Sequence, residues 1–137
     1  MIAAHLMNAR RPGDVLAALN TWPEQPFRYG QADCCQLVGH VVLELTGRDH
    51  MLAFHYETED QADAMIEAAG GLTPLVSSVL GEPVPVAALQ PGDPVLIRWR
   101  KLELLGVLVS DRAAAGLDIY GHIAEIPIRI CAHGWRV

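Results

Sequence analysis

The chain has 137 residues, of which 51% are hydrophobic and 19% are charged, and its formal net charge is −6. This length predicts a single domain over residues 1–137, because domains commonly contain about 100–150 residues. The composition is too apolar for a disordered chain, and no apolar run approaches the roughly 20 residues that a membrane-spanning helix needs. The acidic balance argues against nucleic acid as a partner, since phosphate binding requires clustered basic side chains.

The N-terminal segment and the cysteines narrow the expectation further. Residues 1–11 end in two arginines with no apolar stretch after them, which is unlike a secretory signal, so we expect a soluble domain made in the cytoplasm. The three cysteines, Cys34, Cys35 and Cys131, cannot all pair, and none has the spacing of a structural zinc site. The sequence therefore predicts no disulfide framework, no metal site and no cofactor, and it leaves the roles of Cys35 and Cys131 open.

The first third of the chain has the pattern of helices. Residues 14–20 predict a short helix with Asp14 as its N-cap, followed by an irregular stretch that contains two prolines. Asp33 and Gly47 bound the clearest helix, because the first can cap it and the second can end it. Its apolar side chains recur at helical spacing and predict one buried face: Cys34, Leu37, Val38, Val41, Val42 and Leu45.

Residues 48–82 continue the helical pattern, whereas the residues after Gln90 have the pattern of strands. The predicted helices cover residues 58–70 and 73–81, and the predicted strands cover 94–99, 104–109 and 117–120, with a loop at 110–116 and shorter strands at 124–126 and 134–137. Helices followed by an antiparallel sheet predict an α+β fold. We expect the long helix to lie across that sheet.

Cys34 follows the predicted N-cap, in the first turn of the helix, and this position has a chemical interpretation. Unsatisfied backbone N–H groups there carry a partial positive charge that favours the thiolate, which is the nucleophile in cysteine catalysis. The alternative is a packing role, because cysteine is often buried and Cys34 lies on the apolar stripe. Position alone favours packing, and the surrounding motifs shift the interpretation towards a nucleophile.

Two motifs surround this thiol in chain order. The first is Phe27-Arg28-Tyr29-Gly30 followed by Asp33-Cys34-Cys35-Gln36-Leu37-Val38, and the second is Pro91-Gly92-Asp93 followed by an apolar strand. Together they resemble the NlpC-like branch of the papain-type cysteine peptidases, which cut peptide bonds in bacterial cell walls. The resemblance covers roughly residues 22–45 and 89–124. It implies a papain-like fold, in which a central helix with a cysteine at its N-terminus packs on an antiparallel sheet.

The resemblance also implies roles for individual residues. It places the nucleophile at Cys34, and Cys35 stands where the family has serine. The family's next strand opens with the histidine that acts as general base, and Leu104 occupies that position. The third family position maps onto His122, which implies either a Cys34–His122 dyad or a fold whose chemistry is lost. The alternative for His122 is a solvent-facing residue at a strand end.

A short, degenerate NlpC-like domain of this kind resembles small proteins encoded among the tail genes of long-tailed phages and prophages. The Asp-Cys-Cys variant and the terminal Trp135-Arg136-Val137 resemble that subgroup. This implies a tail-tip or tail assembly component with weak or no hydrolase activity. Its partners would be other tail-tip proteins, and its location the host cytoplasm during assembly and then the virion tail.

Two other functions remain open. One is an active cysteine amidase or endopeptidase that cleaves peptidoglycan peptide bonds with Cys34 and His122. The other is a small protein-binding module in which Trp22, Trp99 or Trp135 anchors a partner, since tryptophan is enriched at interface hot spots. For the tryptophans, the alternative is that all three fill the core.

Overall fold

The computed structural model describes residues 9–137, so the part of the N-terminal prediction that falls on residues 1–8 lies outside the described residues. Within residues 9–137, four α-helices precede a five-stranded antiparallel sheet, which confirms the predicted α+β class. The elements are α1 (Pro12–Asn20), α2 (Cys34–Thr46), α3 (Glu59–Ala69), α4 (Leu72–Leu80), β1 (Pro94–Trp99), β2 (Leu102–Leu108), β3 (Ala113–Leu117), β4 (Ile123–Pro127) and β5 (Cys131–Gly134). The strand order is β4-β3-β2-β1-β5.

The apolar stripe of α2 packs on the sheet, as predicted. Leu37, Val38, Val41 and Val42 are buried, and they belong to one core cluster with side chains of β2 and β3. The sheet contributes Leu105, Val107, Ala115 and Leu117 to this cluster, and α1 contributes Val15, Ala18 and Leu19. Burying a Val or Leu side chain contributes about 1.5–3 kcal/mol, so this layer contributes much of the stability that holds α2 in place. The helix start, with its two cysteines, is thereby fixed against the sheet.

The ends of the helices follow local capping chemistry. Asp33 accepts a hydrogen bond from the Gln36 backbone N–H at the start of α2, and Gly47 ends the helix with φ 76°, both as predicted. Asp14 is not the N-cap of α1, because the helix begins at Pro12, which suits a first helical turn. The Asp14 carboxylate instead accepts from the Arg11 backbone N–H within that turn.

Three predictions for the strands need correction. The loop predicted at residues 110–116 is wrong, since most of it belongs to β3, and the strand predicted at 117–120 is wrong because a turn follows Leu117. The first four residues of β3 are alanine or glycine, all five residues are buried, and the place of the strand between β2 and β4 overrides the weak strand propensity of these small residues. The closing strand is Cys131–Gly134 rather than residues 134–137.

The remaining elements agree with the predictions or shift slightly. The strand at 94–99 is confirmed as β1, and β4 contains the predicted 124–126. β2 begins two residues earlier than predicted, because Arg100 adopts φ 55° and closes a tight hairpin that pairs Trp99 with Leu102. Residues 48–57, predicted to be helical, contain only the short 3-10 helix His50–Ala53.

The three tryptophans divide between the core and the surface. Trp135 is fully buried, and Trp22 is partly buried against the same core cluster, so both help to fill the interior. Trp99 is 49% exposed at the β1–β2 hairpin, where the Arg100 guanidinium lies over its ring. Among residues 9–137, no helix has the length and apolar character needed to cross a bilayer.

Candidate functional site

Cys34 is the first residue of α2 and lies, partly exposed, on the wall of a cavity of about 570 Å³. α2, the α3–α4 pair, the first half of β2 and the end of β3 bound this cavity. Its lining is mostly hydrocarbon and includes Val42, Ile66, Leu75, Leu80, Leu104 and Leu117. The volume lies within the range of about 300–1,000 Å³ that is typical of ligand pockets.

The carboxylate of Asp33 organises the cysteine end of α2. It is 3% exposed and accepts three hydrogen bonds: from the backbone N–H groups of Gln36 (2.9 Å) and Gly30 (2.8 Å), and from the Tyr56 hydroxyl (2.7 Å). These contacts join the helix start to the turn before it and to the segment after the 3-10 helix. Asp33 therefore fixes the position of the first turn of α2, which contains both cysteines.

The conformation and surroundings of residue 30 require a glycine in the motif that precedes the thiols. Its φ is +81°, a left-handed conformation that L side chains rarely adopt. A Cβ atom at this position would also overlap the backbone carbonyl oxygen of Tyr56. The close approach of these two segments is what lets the Tyr56 hydroxyl reach Asp33.

The two adjacent thiols influence each other's ionisation. A hydrogen bond from the Cys35 thiol lowers the pKa of Cys34, and a backbone hydrogen bond from Leu105 adds to this effect. Burial and the Asp33 carboxylate oppose the lowering. The same contact between the thiols, together with burial, raises the pKa of Cys35 well above its ordinary value. Cys34 is therefore the thiol that ionises first, beside a protonated Cys35.

The β2 strand forms the part of the cavity wall beside Cys34. Leu102, Glu103, Leu104 and Leu105 all line the cavity, and the backbone of Leu105 is within hydrogen-bonding reach of the Cys34 sulfur. Leu104, which stands at the base position implied by the resemblance, is 36% exposed at the cavity mouth. The structure thus places a hydrocarbon side chain on the cavity wall at this position.

His122 lies in the turn between β3 and β4. Its side chain is 75% exposed, and its Nδ1 is 3.7 Å from the Asp118 carboxylate, which also accepts the His122 backbone N–H at 2.9 Å. Gly121 holds this turn close to the backbone at Pro26 and Phe27. Asp118 lines the cavity, but His122 is not among the lining residues that the structure describes. The Cys34–His122 dyad stays a prediction.

The remaining chemistry of the cavity is limited. Within the described part of the chain, no lining residue is a histidine, and no group of three His, Cys, Asp or Glu side chains is arranged to hold a metal ion. Cys131 is a free thiol outside this cavity, and burial raises its pKa. Among the described residues that line the cavity, Cys34 therefore has no histidine beside it.

Tyr56 is the site residue that the sequence did not reveal. Burial raises its pKa far above the ordinary value, with the neighbouring Cys35 and Asp33 adding to the effect, so its hydroxyl stays a donor. It lies in residues 48–82, where neither helical periodicity nor the motif resemblance singles out a tyrosine. Only the approach of this segment to Gly30 brings Tyr56 to the thiols.

A second, polar cleft adjoins the apolar cavity. Its volume is about 660 Å³, and its lining includes Arg28, Gln31, Gln36, His55 and Gln61. The two spaces share three aromatic residues, Tyr29, Phe54 and Tyr56, which form the boundary between them. A molecule bound beside Cys34 therefore has polar groups available on one side and hydrocarbon on the other.

The chain belongs to the family described as Domain of unknown function (DUF6950), whose profile matches residues 9–137. The match includes every residue of the site, from Gly30 and Asp33 to the β2 strand and His122. No curated protein matches the chain. The description of the family names no activity or ligand, so the function has to be argued from the site.

Proposed function

We propose that the chain is a tail-tip or tail assembly component of a phage or prophage, with a papain-like NlpC-type fold and weak or no hydrolase activity. The motifs in residues 22–45 and 89–124 support the fold, as does a helix that carries a cysteine at its start and packs across an antiparallel sheet. Its partners are other tail-tip proteins. It is located in the host cytoplasm during assembly and in the virion tail afterwards.

One observation supports the proposal of weak or absent hydrolase activity. The described lining residues of the cavity beside Cys34 include Leu104 and no histidine. Cysteine catalysis needs a base within about 3 Å of the sulfur, and that base is normally held by a third group. A leucine cannot accept a proton.

The polar groups near Cys34 do not replace the missing histidine. Amide cleavage requires an acid that protonates the leaving nitrogen as well as a nucleophile. The Tyr56 hydroxyl already donates to Asp33, and the Asp33 carboxylate already accepts three hydrogen bonds. The Cys34 thiolate can therefore react with a strong electrophile, but it lacks the partner that releases an amine.

The catalytic part of the proposal is tested by incubating the purified protein with peptidoglycan and measuring the muropeptides released. We expect release no greater than that of the Cys34→Ala variant, because the thiol lacks a base. Release that matches an intact cell-wall peptidase and disappears in Cys34→Ala would contradict this part of the proposal.

The assembly part is tested in the phage or prophage that encodes the protein. Deleting the gene is expected to give particles with defective tails in electron micrographs, and supplying the Cys34→Ala variant is expected to restore normal tails. Normal tails in the deletion mutant would show that the protein is not an assembly component. Restoration by the wild type but not by Cys34→Ala would show that the thiol is needed.

A second candidate function is an active cysteine amidase or endopeptidase that acts on peptidoglycan through Cys34 and His122. The lowered pKa of Cys34 favours it, and so does Asp118, which pairs with His122 and lines the cavity. Under this function His122→Ala abolishes muropeptide release, whereas His50→Ala, which changes a histidine outside both the cavity and the polar cleft, leaves it unchanged. Under the first function neither substitution has an effect.

A further inference from the structure

The β2 strand has an unpaired edge at the cavity mouth. Its residues from Leu102 to Val107 pair with β1, but only Val107 and Leu108 pair with β3. No other strand or bridge of the described residues pairs with residues 102–106 on that side. The strand therefore has an open edge of about five residues where it meets the cavity.

The backbone of Leu105 shows which groups point out of this edge. It lies within hydrogen-bonding reach of the Cys34 sulfur, on the side away from β1. Because the hydrogen-bonding direction alternates along an antiparallel strand, the backbone groups of Glu103 point the same way. Open strand edges bind extended peptides through such main-chain groups.

The apolar surface continues from the cavity onto the outside of the protein. Leu102 is 61% exposed and Ile119 is 78% exposed, and both line the cavity mouth together with Leu104. A small apolar molecule inside the cavity would leave these side chains in water. An occupant that covers them has to extend beyond the cavity along the edge of β2.

The charged side chains in the described cavity lining are all acidic, and one of them, Glu103, pairs with Arg98 outside the lining. The described lining residues include Asp33, Glu59, Asp63, Glu103 and Asp118, and none of them is a lysine or an arginine. Glu59 and Asp63 are exposed on α3, across the cavity from β2. A partner that carries positive charge beside its apolar side chains is therefore favoured over an acidic one.

We propose that this edge binds an extended, apolar segment of a partner protein, which adds a strand to β2 at residues 102–104, next to the contact between Leu105 and Cys34, points alternate side chains into the cavity and places basic residues towards Glu59 and Asp63. The bound backbone then passes the Cys34 thiol. This names the kind of partner segment that the assembly role requires and rests on that role. A second copy of the chain is disfavoured as the occupant because its net charge is −6, and self-association is one of the outcomes of the test below.

The test uses a synthetic peptide of ten residues in which valine alternates with threonine and two lysines stand at one end. Fluorescence anisotropy with the wild-type protein is expected to show saturable binding, and saturating peptide is expected to slow alkylation of Cys34 at least tenfold. The same peptide with methylated backbone nitrogens at alternate positions is expected to bind at least tenfold more weakly, because it cannot pair with a strand. Equal binding of the methylated peptide would overturn strand addition.

Substitutions at Glu103 test the edge from the protein side. Glu103→Pro removes an outward N–H and is expected to weaken binding at least tenfold, since proline is tolerated on strand edges but cannot donate. Glu103→Ala removes the carboxylate that pairs with Arg98 but keeps the N–H, so it is expected to bind nearly as well as the wild type. Equal binding by the two variants would contradict the proposal. If Glu103→Pro does not fold, the comparison of the methylated and unmethylated peptides tests strand addition instead.

The charge preference is tested on one helix. Glu59→Lys with Asp63→Lys is expected to weaken peptide binding severalfold, whereas Asp60→Lys with Glu67→Lys changes the same charge outside the cavity lining and is expected to have little effect. Equal losses would mean non-specific attraction and would overturn the proposed site. Concentration-dependent self-association that Leu102→Asp abolishes, or displacement of the peptide by laurate, would assign the edge to another occupant.

The peptide experiments and the gene deletion give different results depending on which of the two proposals is wrong. If no peptide binds at millimolar concentration while deletion of the gene still gives defective tails, this inference is wrong and the assembly role stands. If the peptide binds and protects Cys34 but the deletion leaves tails normal, the site exists and the assembly role is wrong.

Discussion

Asp33 and Asp93 are the buried charged side chains of the described residues, and the protein holds them in opposite ways. Asp93 pairs with the guanidinium of Arg10 and accepts hydrogen bonds from the backbone N–H groups of Gln90 and Val137. Asp33 accepts hydrogen bonds from neutral donors only, among the residues described, and has no cationic partner.

The difference separates a structural carboxylate from one that acts on the candidate site. The charge of Asp93 is balanced, and its contacts tie Arg10 and Val137 to the start of β1. Burial raises the pKa of Asp93, although its backbone donors and Arg10 oppose the change. The charge of Asp33 is not balanced by a cation, so it acts on the neighbouring thiols and raises the pKa of Cys34. The two motifs that surround the thiol in the sequence thus have different physical roles.

The largest effect is expected for Asp93→Ala. The substitution leaves the guanidinium of Arg10, whose side chain is 11% exposed, without its carboxylate partner, and breaking such a largely buried pair costs about 3–5 kcal/mol of unfolding free energy. Urea denaturation followed by circular dichroism measures the loss. The exposed Asp111→Ala is the matched control and is expected to stay within about 0.5 kcal/mol of the wild type. A loss below about 1 kcal/mol for Asp93→Ala would show that Arg10 finds other acceptors.

The next largest effect is expected for Gly30→Ala, which disturbs the backbone turn that contacts Asp33. A non-glycine residue at φ +81° costs about 1–3 kcal/mol, and overlap with the Tyr56 carbonyl adds to this. The control is Gly13→Ala within α1, where a Cβ meets nothing within 4 Å and alanine is expected to stabilise the helix by about 0.5–1 kcal/mol. Equal stability of the two variants would contradict the tight approach at Gly30.

Tyr56→Phe is expected to have a smaller effect. It removes one hydrogen bond to a buried carboxylate and keeps the ring, which predicts a loss of about 1.5–3 kcal/mol in the same denaturation experiment. Tyr120→Phe changes a hydroxyl on a side chain that is 70% exposed and is expected to change the stability by less than about 0.5 kcal/mol. If both variants unfold at the wild-type urea concentration, Tyr56 does not support Asp33.

The smallest effect concerns the thiol itself. Iodoacetamide alkylation of Cys34, followed by peptide mass spectrometry, is expected to rise with pH around a midpoint below the ordinary thiol value of 9.0, because its pKa is lowered. Asp33 opposes this lowering, so Asp33→Asn is expected to move the midpoint to lower pH. Asp93→Asn is expected to leave the midpoint unchanged, since no contact joins that carboxylate to the thiols. An upward shift in Asp33→Asn would reverse the role given to Asp33.

The sequence predicted the features that depend on neighbouring residues. Asp33 and Gly47 bound α2 as expected, because capping involves residues three or four positions apart. The strand at Ala113–Leu117 was missed because its small residues have weak strand propensity, and burial between two other strands compensates for it. Tyr56 was missed for a related reason, since its contact with Asp33 joins segments 23 residues apart.

By itself, the sequence determined the α+β order, the bounds of α2 and the place of a thiol in its first turn, since these follow from local periodicity and capping. Only the tertiary structure decided what surrounds that thiol. The apolar cavity, the position of Leu104 on its wall, the exposure of His122 and the open edge of β2 all depend on how α2, the α3–α4 pair and the sheet pack together. Such contacts join residues far apart in the chain, so they cannot be predicted from local periodicity and capping.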